Sequence, residues 1–125
     1  MIRELLSQHS FAATVDRLRT AIEAAGLTVF AVIDHAANAA DAGLAMLPAT
    51  VLIYGNAKGG TPIMQAVPNL ALDLPLRVLV RQDADDRVRV LFHPAATMLR
   101  AAGAPDALAT RLDPAQGLLI SAIQS

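Results

Sequence analysis

A chain of 125 residues, 54% hydrophobic and 17% charged with a formal net charge of -1, has the length for one domain with its own core and not for two. Ten Lys and Arg against eleven Asp and Glu, with no Trp, one Tyr and three Phe, supply neither the charge nor the stacking surface of a nucleic-acid binder. The lack of cysteine excludes disulfides and thiolate chemistry. Without a signal-like opening or an apolar run of spanning length, a cytoplasmic protein off the membrane is expected.

In chain order, residues 2–8 read as a first strand. A helix follows over 11–25, because Phe11, Val15, Leu18, Ile22 and Ala25 recur at helical spacing behind Ser10 as N-cap, with Gly26 as the stop. Residues 27–33 are β-branched and apolar on both faces, the pattern of a central strand. Asp34 caps a short helix over 35–42, closed by Gly43. Residues 50–54 form another buried strand, 55–60 a loop, and Thr61-Pro62 the cap and first residue of a helix reaching about Val67. Past Pro75, Leu76, Val78 and Val80 alternate with Arg77 and Arg81; a turn at 82–86 leads into Arg87 and Arg89 alternating with Val88, Val90 and Phe92. Pro94 and Asp113-Pro114 start the last two helices, over 94–102 and 113–123. A tight hairpin among helices makes the class α+β, one mainly antiparallel sheet with helices packed on it. The chain is a single domain over 1–125. Its apolar excess, much of it Ala, points to a surface covered by a second copy, hence a homodimer.

Three groups of residues are candidates for chemistry. Gly55, Asn56, Lys58, Gly60 and Thr61 lie after a strand and before a helix, where backbone N–H groups converge on an anion. The two residues after the Gly-x-x-x-x-Gly spacing are Thr-Pro, so this is no nucleotide P-loop. A tight turn with glycine at positive φ and Thr61 as cap explains all of these residues except Lys58 and Asn56, and is the stronger account. Asp34 and His35 at a strand end form an acid–base pair, His35 being the catalytic candidate; the competing account is an ordinary cap and first helical turn. Asp73 precedes Leu74-Pro75 and is placed to pair with Lys58 or His35 across a cleft, or to brace the turn. His9 and His93 lack ligand spacing to His35, so no metal is expected, and no cofactor is indicated. Met64 is expected as core filler.

Four segments carry a resemblance. They are Ala13-Thr14-Val15-Asp16-Arg17-Leu18 with Gly26-Leu27-Thr28-Val29-Phe30, and Ile33-Asp34-His35-Ala36-Ala37 with Ala40-Asp41-Ala42-Gly43-Leu44. The others are Leu52-Ile53-Tyr54-Gly55-Asn56-Ala57-Lys58-Gly59-Gly60-Thr61-Pro62-Ile63-Met64, and Ala71-Leu72-Asp73-Leu74-Pro75-Leu76-Arg77-Val78-Leu79-Val80. Together they resemble the family called domain of unknown function 302, from the first helix to Pro94. A Gly-Asn-Pro-Lys-like loop of that family reads Gly-Asn-Ala-Lys here. The resemblance implies a fold like that of TATA-box-binding-type domains and a tendency to homodimers, without implying DNA binding. The resulting expectation is a homodimer binding a small molecule or anion at 55–61. The alternatives are an enzyme using His35 on an anionic substrate held by Lys58, and a protein-interaction module.

Overall fold

Five strands form one antiparallel sheet in the order β1-β5-β4-β3-β2, seen in a computed structural model whose described residues are 1–124. The strands are β1 (Arg3–Leu6), β2 (Thr28–Asp34), β3 (Ala49–Gly55), β4 (Leu76–Gln82) and β5 (Val88–Phe92). Between and after them lie α1 (Phe11–Ala24), α2 (His35–Asp41), α3 (Ala57–Ala66), a 3-10 turn (Pro68–Leu72), α4 (Ala95–Ala101), α5 (Asp106–Ala109) and α6 (Asp113–Gln124). The α+β class is therefore as the sequence indicates, with every neighbouring pair antiparallel.

The core lies on one face of this sheet. Leu52, Tyr54, Val78, Val80 and Val90 are fully buried beneath Leu18 and Ile22 of α1 and Leu119 and Ile123 of α6. Alternation makes this possible, since side chains on the intervening positions turn to the other face. A smaller cluster of Ile63, Leu70, Leu99, Ala104 and Ala109 ties α3 to the 3-10 turn, α4 and α5. The other sheet face stays open, with half-buried Val51, Leu79 and Leu91 among the arginines.

Local signals account for most element ends. Ser10 accepts a hydrogen bond from the Ala13 N–H at 3.1 Å, and α1 stops at Gly26, whose φ is +79. Asp34 caps α2 through the Ala37 N–H at 2.9 Å. In the hairpin, Asp83 Oδ1 accepts from the Asp85 and Arg87 N–H groups, and Asp86 takes the positive φ of +62. Of the hairpin arginines, Arg89 meets Asp83 at 2.9 Å and Glu4 at 3.0 Å, and Arg81 lies 3.9 Å from Glu4. The Arg89 hydrogen bond holds the Asp83 carboxyl below its ordinary range.

Two expectations need correction. β2 is an edge strand, not a central one; it pairs with β3 alone, and its apolar residues Phe30 and Val32 are exposed. An apolar run on both faces does not distinguish a buried strand from an uncovered one. Secondly, α3 begins at Ala57, four residues before the Thr61 expected as cap, and Pro62 sits inside it. Two short elements, the 3-10 turn and α5, were not foreseen.

Gln116 anchors α6. Its Oε1 accepts from the Ala95 N–H at 2.8 Å and its Nε2 donates to the His93 carbonyl at 2.9 Å. The side chain is buried, so both backbone groups depend on it. Gln116→Leu is expected to lower unfolding stability by about 1–3 kcal/mol, read from urea midpoints; an unchanged midpoint would show that other groups satisfy both atoms.

Candidate functional site

Asn56 decides the geometry of the 55–61 segment. Its Oδ1 accepts the Gly59 N–H at 2.7 Å while its carbonyl accepts the Gly60 N–H at 3.0 Å, which sets α3 going at Ala57. Gly59 and Gly60 thus lie in the first helical turns, and neither has a positive φ. Their value is space: a Cβ on Gly59 would stand 3.0 Å from Asn56 Oδ1, against the capping bond itself. Helix geometry leaves the N–H groups of Ala57 and Lys58 without an intrahelical acceptor. Thr61 is a helical residue rather than a cap.

Behind this helix start lies a cavity of about 330 Å³. Its walls are mainly apolar: Leu27 and Phe30 from β2 and its approach, Met64 of α3, Leu74 before β4, and Leu112 and Ala115 at the start of α6. Gly55, Asn56, Gly60 and Thr61 form the polar side. Phe30 owes its place to a β-bulge. The register runs Val29↔Tyr54 and then Ala31↔Ile53, so Phe30 is the extra residue, and its ring packs 3.9 Å from where a Gly55 Cβ would be.

Tyr54 also lines the cavity, and its Oη has no hydrogen-bond partner among the described residues. Burial pushes its phenol far above the ordinary range. The neighbouring Gln116 amide pulls the other way, but the Ala95 N–H and His93 carbonyl already occupy its two ends. An uncompensated buried hydroxyl costs stability, so it is a point where a ligand or water gains by supplying a partner.

The remaining candidates do not converge on this place. Along β2 and β3, Gly55 pairs with Thr28 and Asp34 with Thr50, at opposite ends of the strand pair. At a rise of about 3.3 Å per residue, the two ends are about 20 Å apart. Asp34 is occupied as the α2 cap, and His35 is exposed in its first turn. Asp73 lies on a separate groove of about 460 Å³ on the open sheet face, with Arg77, Leu79 and His93. Among the described residues Asp73 makes no ion pair with Lys58 or His35. Lys58 is exposed and outside the cavity wall. The arrangement can hold a compact, largely apolar molecule with one polar end; the proposed Lys58–His35 pairing on one substrate has no geometric support. No group of three His, Cys, Asp or Glu suited to a metal occurs among the described residues.

Sequence reasoning located the polar side of the cavity and missed its apolar walls. Phe30, Leu74 and Leu112 look like core residues in the sequence, and Met64 was expected as filler. The one available signal was Tyr54, the single tyrosine of the sequence, set directly before Gly55 in a mainly apolar strand.

The family model described as domain of unknown function DUF302 matches residues 3–125. Among curated proteins, the chain is 39% identical over 82 residues to a fluoride-specific ion channel FluC 1 of Brucella suis, covering 66% of this chain and 32% of that protein. A fluoride-specific ion channel FluC 2 of Brucella melitensis gives 39% over 82 residues, covering 66% and 30%. The chain thus spans about a third of the length of these relatives, and no helix among its described residues is long and apolar enough to cross a membrane. A crystal structure of an uncharacterized conserved protein DUF302 from Bacillus stearothermophilus superimposes with a TM-score of 0.83 at 14% identity, covering 98% of this chain and 94% of that one. That likeness shows the shared fold.

Two outcomes are expected. Asn56→Ala should lower stability by about 0.5–2 kcal/mol and raise hydrogen exchange in the first turn of α3; unaltered exchange there would remove Asn56 as the organiser. Tyr54 is the only tyrosine, so absorbance of the phenolate reads it alone. Its folded pKa lies above the unfolded value of about 10, so stability is complete below that pH and falls as pH rises past it. Phenolate absorbance should therefore appear together with loss of the fold; a titration near pH 10 with the fold intact would contradict the burial.

Proposed function

We propose a ligand-binding role for this chain, which belongs to the family of the domain of unknown function DUF302. The ligand is a compact molecule with an apolar body and one anionic or hydrogen-bond-accepting end. Its body fits between Phe30, Met64, Leu74 and Leu112; its polar end meets the N–H group of Ala57, where the helix start favours negative charge. The observation that carries this reading is the cavity itself: mainly apolar walls, with polar groups at the start of one helix and at Tyr54, the usual composition of a small-molecule site. Asp34, His35 and Asp73 have no part in it.

A second reading is favoured by the identity to proteins named fluoride-specific ion channels. In it the chain is an accessory domain to an anion-conducting membrane protein, and cavity occupancy is the signal it passes on. Both readings use the same pocket.

The test is ligand-observed NMR with medium-chain carboxylates and aryl carboxylates as probes. Ala57 is exposed at the cavity mouth, so Ala57→Phe blocks entry without disturbing the core. Saturation transfer is expected for the natural chain and its loss in the variant. No transfer to any probe, or equal transfer to both proteins, would remove this site.

A further inference from the structure

The groove of about 460 Å³ on the open sheet face has an apolar floor and charges at one end. Val51 pairs with Leu79 and Leu79 with Leu91, so these three half-buried side chains form one row across β3, β4 and β5. Arg77 and His93 each stand two residues beyond that row, toward the same end of the sheet and on the same face. Asp73 closes this end from the turn before Pro75. Elsewhere on β4 and β5 the arginines have acidic partners: Arg89 holds Asp83 and Glu4, and Arg81 lies by Glu4. Arg77 forms no ion pair among the described residues, and neither does Asp73, although both line this groove.

We infer that this groove binds a small zwitterion with an apolar body, of the class of an apolar amino acid or its short peptide. The Arg77 guanidinium takes the carboxylate, which its planar fork suits, and His93 adds a second polar group on that side. The Asp73 carboxylate takes the ammonium group, and the apolar side chain lies on Val51, Leu79 and Leu91. Charge complementarity selects this occupant. An anion without an ammonium group is opposed by Asp73, a cation without a carboxylate is opposed by Arg77, and an uncharged molecule satisfies neither. The floor matters as much as the charges, because exposed ion pairs alone contribute little while apolar contact adds with the area covered. The inference is independent of the ligand reading given above, since the two recesses share only Pro75 and Leu76.

Amide chemical-shift mapping with leucine, leucyl-leucine, leucinamide and isocaproate tests this on the full chain. The last two keep the apolar body and one charge each. Leucine or leucyl-leucine should shift the amides of Leu79, Leu91 and His93. Read at those amides, it should bind at least about threefold more tightly than either single-charge analogue. Arg77→Gln should abolish the preference over leucinamide, and Asp73→Asn the preference over isocaproate. No shift at these amides with either zwitterion overturns the inference, as do shifts confined to Gly55, Gly60 and Met64 in the other cavity. So does equal affinity for all four probes, or a preference that survives both substitutions. Both side chains are exposed, so neither substitution enters the core. If a variant unfolds, the four-probe comparison on the natural chain decides alone.

Discussion

The sheet is covered on one face only, and the rest of the structure follows from that. Leu52, Tyr54, Val78, Val80 and Val90 need cover, and α1 and α6 provide it from the two ends of the chain. With both long helices on that side, the opposite face and the β2 edge have no intrachain cover. Gln116 secures the arrangement by joining α6 to the connection between β5 and α4, so the last helix is held by polar geometry as well as by apolar contact. The cavity lies where this cover ends, between the start of α6, the start of α3 and the bulged edge strand.

The start of α3 contains the least helix-favouring sequence in the chain, two glycines and an internal proline within six residues of its beginning. Pro62 has no N–H for the Lys58 carbonyl, so the first turn is closed chiefly by the Asn56 side chain and carbonyl. A first turn held by one residue opens at low cost. Small side chains there also keep the cavity from being filled: Gly60 lines it, and Met64, a flexible side chain, is its nearest neighbour.

Much of the fold was legible in the sequence. Helical spacing and Ser10 marked α1, alternation and the acidic turn marked the β4–β5 hairpin, and Asp34 with Gly43 bounded α2. Two things were not. Apolar residues on both faces of β2 suggested a strand between two others, because periodicity records what a side chain dislikes, not whether anything covers it. The start of α3 was placed at Thr61-Pro62 because proline favours the first turn, whereas a capping Asn56 five residues before Thr61 overrode that preference. The candidate site was legible in part. Its polar side showed as Gly55, Asn56, Gly60 and Thr61, but strand register decides which distant residues share a wall, and register separated Asp34 and His35 from that wall while bringing in Phe30 and Leu112.

The charged, four-residue β1 has a consequence for how far assembly can go. A sheet with two permissive edges joins copies indefinitely and yields fibres. Here Arg3 and Glu4 occupy the far edge, and the pairing of Glu4 with Arg89 and Arg81 keeps its carboxylate in place. Of the two edges, only β2 lacks such charges along its length, and the β1 margin stays guarded. The chain thereby guards against open-ended sheet growth through its first strand rather than through its core.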